Sequence, residues 1–336
     1  MLPTTMSAVL ATGSVPLDDD RALVDAELPL PELRPHDLLV EVAAVSVNPV
    51  DLKVRARLGV GDPPVVLGYD AAGTVRRVGS AVTLFAPGDE VYYAGVNTRQ
   101  GTNAEYHAVD ERLVGRKPAN LTMAEAAAMP LTTITAWESL FERFALDASS
   151  TGTLLAVAAA GGVGSILTQL ARLRTGVTVI GTASRPESQA WVTRMGAHHV
   201  LDHHGDLVAG LHDLAPGGID RVFTPSTPGR VPLFTEVLRP FGEIVAIDDD
   251  PELDVRALKA KSIAWKWESM FTRGIFETPD MVRQHELLDE AAGLFESGAL
   301  RSTLTREIEG IDAASLREAH EIVGSGRSIG KVVLTR

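Results

Sequence analysis

The stretch from Ala156 to Ile166, AVAAAGGVGSI, places small residues where a backbone would need them to approach a diphosphate. Such a turn needs N–H groups aimed at the anion and no Cβ at the points of closest approach. Gly161 and Gly164 fall at the second and third glycine positions of G-x-G-x-x-G, and Ala159 falls at the first. The first glycine serves the tight turn out of the strand, so alanine fits there only if its φ stays negative. The apolar run Thr153–Ala158 and the helical period of Val163–Leu173 supply the flanking strand and helix that this chemistry requires. Ala160, Gly161, Gly162, Val163 and Gly164 are therefore the candidate cradle of a dinucleotide. The alternative is a small-residue strand–helix contact that holds no ligand.

The end of the next strand selects between dinucleotides. A carboxylate about 20 residues on accepts from the ribose hydroxyl of NAD(H). Here Ser184 and Arg185 occupy that place, and no carboxylate appears before Glu187. A hydroxyl beside a guanidinium suits a 2′-phosphate, so NADP(H) is the expected cofactor. Ser184-Arg-Pro-Glu187 also reads as a helix capping box, and the two uses are compatible. Thr224 and Ile247 close later strand-like runs, where the carboxyl ends of parallel strands meet ligands.

These residues need an alternating scaffold, and the sequence provides one. From Thr153 onward, strand runs such as TLLAVA and VTVIGTA alternate with helical stretches of ten or so residues, which implies a parallel, doubly wound sheet. The first third is different in texture. DLLVEVAAVSV (Asp37–Val47), AAGTVRRVG (Ala71–Gly79), DEVYYAGV (Asp89–Val96) and AEYHAVD (Ala104–Asp110) read as short strands of an irregular β-domain. Thr122-Met-Ala-Glu125 is a capping box opening a helix that Pro130 should interrupt, and Thr135-Ala-Trp-Glu138 repeats the pattern. The tail from Thr278 carries a helix, a short strand (Ser302–Ile308), another helix and a final strand, and is expected to return to the first domain. The expected division is 1–130 with 276–336, and 131–275 between them.

The 336 residues carry a net charge of −13, which argues against a nucleic-acid surface. The absence of cysteine removes disulfides, thiolate nucleophiles and Cys-rich zinc sites, and fits a cytoplasmic protein. Neither a signal peptide nor a membrane span is expected.

The motifs AVSVNPVDLKVR (Ala44–Arg55), VVLGYDAAGTV (Val65–Val75), PGDEVYYAG (Pro87–Gly95), LTTITAWESLF (Leu131–Phe141), AAGGVGSILTQLAR (Ala159–Arg172) and SGRSIGKVVL (Ser325–Leu334) resemble the medium-chain dehydrogenase/reductase superfamily. More narrowly they resemble its zinc-independent, quinone-oxidoreductase-like branch. The likeness runs in order along nearly the whole chain. It implies an α/β protein: a GroES-like β-domain made from both chain ends, a Rossmann domain between, and NADPH in the cleft. It also implies a homodimer formed through edge strands, with Ser262–Trp267 as the candidate edge. Zinc-dependent relatives carry Cys where this chain has Asn48, and His-Glu where it has Tyr69-Asp70, so a tetrahedral N/S zinc site is not expected. The run HHVLDHH (His198–His204) is read as surface and edge histidines.

By the same resemblance, Asn48 lies beside the nicotinamide as an amide donor, Thr135 touches it, and Lys331 joins the cofactor contacts. Asn48 also reads as a turn residue before Pro49, and Thr135 as a helix cap. Lys53 stands where some quinone reductases carry tyrosine and is a candidate proton donor, or an exposed surface lysine. Tyr69 offers a phenol to the cleft, or packs in the core. Trp265, Trp267, Met270 and Phe271 are candidate substrate walls, with ordinary core packing the alternative. Without a metal, reduction of an enone or quinone is the least demanding hydride transfer, since charge delocalises onto an oxygen that needs only donors and a proton. A redox-neutral lyase or cyclase on the same fold is the alternative. The branch usually has Gly-Gly where this chain has Ala158-Ala159, and the two methyl groups bear on how tightly the turn closes.

Overall fold

The computed structural model describes residues 2–13, 15–59 and 61–336. The chain forms two compact units, 1–134 with 271–336, and 135–270. The sequence division had placed these boundaries at 130/131 and 275/276.

The first unit holds β1 (Thr5–Ala11), β2 (Leu23–Pro29), β3 (Asp37–Val47), β4 (Val65–Val66), β5 (Asp70–Val78), β6 (Glu90–Ala94), β7 (Tyr106–Asp110) and β8 (Val114–Arg116). The second holds β9 (Thr153–Ala156), β10 (Thr178–Thr182), β11 (His199–Leu201), β12 (Ile219–Thr224), β13 (Leu238–Ala246) and β14 (Ala264–Trp267). The chain then re-enters the first unit with β15 (Leu304–Glu309) and β16 (Lys331–Thr335).

In the first unit a small sheet runs β2-β1-β4, and a larger one runs β15-β16-β3-β5-β6-β8, with β7 also on β3. β3 is apolar on both faces because it lies at the centre of that sheet: Leu38, Leu39, Val40 and Val45 are fully buried. β16 runs antiparallel to β3 with Val332 opposite Val47, and β5 runs antiparallel to it with Asp70 opposite Ser46. This register brings residues 46–48, 70 and 331 to one end of a shared ladder. β1 and β2 had no counterpart in the sequence reading, which began its strands at Asp37.

The second unit is a six-stranded parallel sheet in the order β11-β10-β9-β12-β13-β14. Numbered within the unit, this is the 3-2-1-4-5-6 order of a Rossmann fold, whose winding reverses between β9 and β12. Its core gathers Leu155, Ile180, Val222, Phe234 and Ile244. β11 and β14 are its two edge strands. Among the described residues no helix is long and apolar enough to cross a membrane.

One local expectation holds and two shift. Thr122 caps its helix as the pattern requires, its Oγ1 accepting from the Glu125 N–H at 3.1 Å, and the next helix starts at Pro130. Thr135, however, lies inside the helix Pro130–Trp137 and does not cap one, and a π-helical turn, Glu138–Arg143, continues it. The helix Pro186–Arg194 is capped by Arg185 rather than Ser184, with Ser188 Oγ accepting from the Arg185 N–H at 3.1 Å. Proline is favoured at the first helical position, and that fixes the start one residue later than the motif suggested.

Candidate active site

In the second unit, β9 runs into a turn whose strain lies one residue before the position singled out in the sequence. Ala158 has φ +52°, in the left-handed region, whereas Ala159 does not. The turn is pinned to the end of β10, since Ala158 N–H donates to Thr182 Oγ1 at 3.0 Å and Ala159 N–H to Thr182 O at 3.1 Å. The helix Gly162–Arg174 follows, with Gly161 at its N-cap and no side-chain cap. Its first-turn N–H groups therefore lack a capping side chain and stay available to an anion.

The glycines differ in their roles. A Cβ on Gly164 would lie 2.6 Å from Ala159 Cα and 2.8 Å from Ala158 O, so Gly164 is required for helix and turn to meet. A Cβ on Gly161 would meet only Ala158 O, at 3.4 Å. The fold alone therefore tolerates a side chain there. Behind the turn, Ser165 Oγ donates to Gly161 O at 2.7 Å and accepts from Trp191 Nε1 at 2.8 Å.

At the end of β10, Ser184 is half-buried, and Arg185 Nε pairs with Glu187 Oε1 at 2.9 Å. Thr224, at the end of β12, is fully buried, and its hydroxyl bonds Ser226 O at 2.9 Å. Ile247 N–H donates to Thr224 O at 3.1 Å. Asp248, the next residue of that loop, accepts from both the N–H and the hydroxyl of Thr227, each at 2.6 Å, and ties the loops after β12 and β13 together.

In the first unit, the ladder end forms a closed buried network. Asp70 Oδ2 accepts from Ser46 Oγ at 2.7 Å, Asn48 Nδ2 at 2.8 Å and Lys331 Nζ at 3.2 Å, while its Oδ1 accepts from the Leu131 N–H at 2.7 Å. Lys331 Nζ also donates to Val47 O at 3.2 Å and to Asn48 Oδ1. Asp70 is 0% exposed and Lys331 4%. Burial pulls the Lys331 ammonium below the usual lysine range, opposed by Asp70. Asn48 also caps the helix Pro49–Arg57, and Asp51 in its first turn accepts from the Asn48 N–H at 2.7 Å and the Gly68 N–H at 3.0 Å. Burial raises the Asp51 carboxyl to about 7. The spacing Asn48-x-x-Asp51, a capping pattern, was the signal that could have found it.

Tyr69 is buried, its ring edge-to-face with Phe271 at 5.0 Å between centroids. Burial, and then the charge of Asp51, lifts its phenol above the usual range, so it stays protonated. Two residues follow the structural alternative that the sequence offered for them. Lys53 is exposed on its helix and does not join the network. The Asn48 amide donates to Asp70 and, at 3.4 Å, to Ser46 O, so it is already committed within the protein. Among the aromatics, Trp265 packs against the Rossmann core, and Trp267, on the edge strand β14, is 49% exposed. Their rings meet edge-to-face at 5.5 Å, and Met270 is buried, as is Thr135.

A zinc ion does not fit this donor set. Asn48 and Tyr69 offer neither thiolate nor imidazole, and the Lys331 ammonium already lies against Asn48 Oδ1 and Asp70 Oδ2. Among the described residues no group of three or more His, Cys, Asp or Glu side chains converges as metal ligands. In the histidine run, His198 Nδ1 accepts from the Val179 N–H at 2.9 Å.

A parallel 3-2-1-4-5-6 sheet with a glycine-lined helix start, in a chain whose other unit is a β-structure built from both terminal segments, defines an oxidoreductase of the medium-chain dehydrogenase/reductase class. The pattern of the alcohol dehydrogenase GroES-like domain matches residues 34–138, and that of the zinc-binding dehydrogenases matches 162–281. The chain belongs to this superfamily, among the zinc-type alcohol dehydrogenase-like proteins. One of that name from Staphylococcus aureus is 44% identical over 306 residues, 89% of this chain and 90% of its own. A Rhizobium etli protein assigned as a zinc-dependent alcohol dehydrogenase superposes with a TM-score of 0.94 at 48% identity, over 99% of this chain and 98% of its own. An Arabidopsis thaliana NADPH-dependent alkenal/one oxidoreductase is 34% identical over 234 residues, 67% of this chain and 58% of its own.

Proposed function

We propose that this protein is an NADPH-dependent, zinc-independent reductase of α,β-unsaturated carbonyl or quinone substrates. The observation that carries this reading is the uncapped start of the helix Gly162–Arg174 at the reversal point of the parallel sheet. Its free N–H groups favour a diphosphate, and the fold leaves room beside Gly161 for one to approach. Ser184 and Arg185 support the phosphorylated dinucleotide, as does the name of the Arabidopsis relative.

Held by the Ala160–Gly164 turn, a reduced nicotinamide coenzyme would supply the hydride for the β-carbon of the substrate, and the carbonyl oxygen would take up the displaced electron pair. The protein must then hold that oxygen and deliver a proton to the α-carbon. Tyr69, kept as a neutral phenol, is the hydrogen-bond donor the first unit offers to that oxygen, and the buried network fixes the backbone on either side of it. The Thr227–Asp248 clamp holds the loop at the carboxyl end of β12, where the redox end of a dinucleotide lies in this fold. The outer strand β14, with Trp267 half exposed, supports a homodimer joined along that edge.

Purified protein is assayed for NADPH oxidation with a panel of simple enones and quinones, with and without a zinc chelator. Turnover insensitive to the chelator is the expected result. No oxidation above background across the panel, or conversion of a substrate without regard to NADPH, would refute the reading.

A further inference from the structure

The network at the end of the β16-β3-β5 ladder has an unusual composition for a buried site. It holds two buried carboxylates, Asp51 and Asp70, and one buried cation, Lys331. An isolated charge in such surroundings is costly unless paired and hydrogen-bonded. Here the pairing is complete around one atom. Lys331 Nζ has three protons, and three oxygens meet them: Val47 O, Asn48 Oδ1 and Asp70 Oδ2. This is an all-oxygen cradle of a carbonyl, a carboxamide and a carboxylate, the donor set of a small hard cation.

The consequence for Asn48 is specific. With its oxygen on the ammonium and its nitrogen on Asp70, the carboxamide has one orientation, and the reversed amide would set its N–H₂ against the ammonium. We infer that Lys331 is the resident cation of this site, a positioning residue that occupies the place of a metal ion and fixes Asn48 and Asp70 from within the fold. The inference builds on the metal-free reading above, but it concerns what the lysine does and not which substrate is reduced.

The test compares the wild type with Lys331→Ala, Lys331→Met and the double variant Asp70→Asn/Lys331→Met, by thermal unfolding, zinc calorimetry without coenzyme, and enone reduction. The wild type is expected to take up no zinc. Both single variants melt lower because Asp70 loses its counter-ion. Propylammonium, which replaces the missing carbons and nitrogen, raises the melting temperature of Lys331→Ala but not that of Lys331→Met or the wild type. The double variant, freed of the unpaired charge, regains stability, while its kcat stays on the order of tenfold to a hundredfold low with KM for NADPH little changed. A double variant with wild-type kcat would make the lysine merely structural. Stoichiometric zinc uptake by the wild type, or an equal propylammonium shift in the wild type and Lys331→Ala, would overturn the inference. If the single variants do not fold, the wild-type zinc titration and the double variant still decide it. If the wild type reduces no enone, the proposed function fails, while the unfolding and zinc measurements still judge Lys331.

Discussion

Substituting alanine at Gly161 or at Gly164 separates what the phosphate turn does for the fold from what it does for a ligand. At Gly161, with φ −73°, the added methyl meets only Ala158 O at 3.4 Å, so packing is undisturbed. The remaining cost is the poorer cap that alanine makes, about 1 kcal/mol. At Gly164 the methyl would lie 2.6, 2.8 and 2.9 Å from backbone atoms of Ala158 and Ala159, and the chain must move. Overpacking of that kind costs about 1–3 kcal/mol or more. Toward a diphosphate the ordering reverses in meaning. The Gly161 methyl would project where the anion must lie, and losing one charge-assisted hydrogen bond costs about 1.5–3 kcal/mol. Gly161→Ala should therefore bind NADPH roughly tenfold to a hundredfold more weakly while melting within a few degrees of wild type. Gly164→Ala should lose stability first and affinity with it. Thermal unfolding gives the first quantity. Tryptophan fluorescence titration gives the second, since Trp191 is hydrogen-bonded to Ser165 on the same helix. A Gly161→Ala protein with wild-type affinity would mean that no diphosphate rests there, and the cofactor argument would fail.

Other outcomes follow from the same structure. Ala158→Gly, which relieves a left-handed alanine, should raise stability by roughly 0.5–1 kcal/mol, read as an upward shift in the denaturation midpoint. Arg185→Ala should narrow the preference for NADPH over NADH, measured as the ratio of dissociation constants; unchanged discrimination removes Arg185 from the 2′-phosphate site. His320 is fully buried, neither ring nitrogen has a hydrogen-bond partner among the described residues, and burial lowers it to about 4 from 6.5, Arg55 adding to the effect. The unfolded chain therefore binds the extra proton between these values, and stability falls as pH drops from 6.5 to 4, by about 3 kcal/mol from this group. His320→Leu should flatten that acid limb in denaturant titrations at stepped pH. Asp51 acts in the opposite sense. Raised to about 7 from 3.8, it binds its proton more tightly when folded, so stability falls as pH rises through that window. Asp51→Asn should remove this slope, and an unchanged slope would place the titration elsewhere.

The parallel sheet was legible because its strands and helices alternate in apolar period and because Gly161 and Gly164 punctuate the crossing. The turn itself was legible only in part. Sequence spacing marked Ala159, yet the left-handed residue is Ala158, since where φ turns positive depends on how the loop is pinned to Thr182, a contact no local pattern encodes. Capping boxes at Thr135 and Ser184 matched by residue type but were overridden, one by a helix already running and the other by Pro186. In the first unit the candidate residues Asn48, Tyr69 and Lys331 were picked out by resemblance. The bonding among Asn48, Asp70 and Lys331 was not visible, because it depends on sheet register between segments far apart in the chain.

That separation carries a consequence for biosynthesis. Asn48 and Lys331 lie 283 positions apart, and β16 pairs with the central strand β3. β7 already covers Asp37–Glu41 on that side of β3, so a nascent chain exposes only the Ala44–Val47 edge while the whole intervening Rossmann unit is translated and free to fold. The amino-terminal portion thus waits on the ribosome with Asp70 lacking its counter-ion until the last strand emerges. Loss of β16 would leave that edge of β3 unpaired and Asp70 without its counter-ion, which is where this architecture is most exposed to truncation or premature stops.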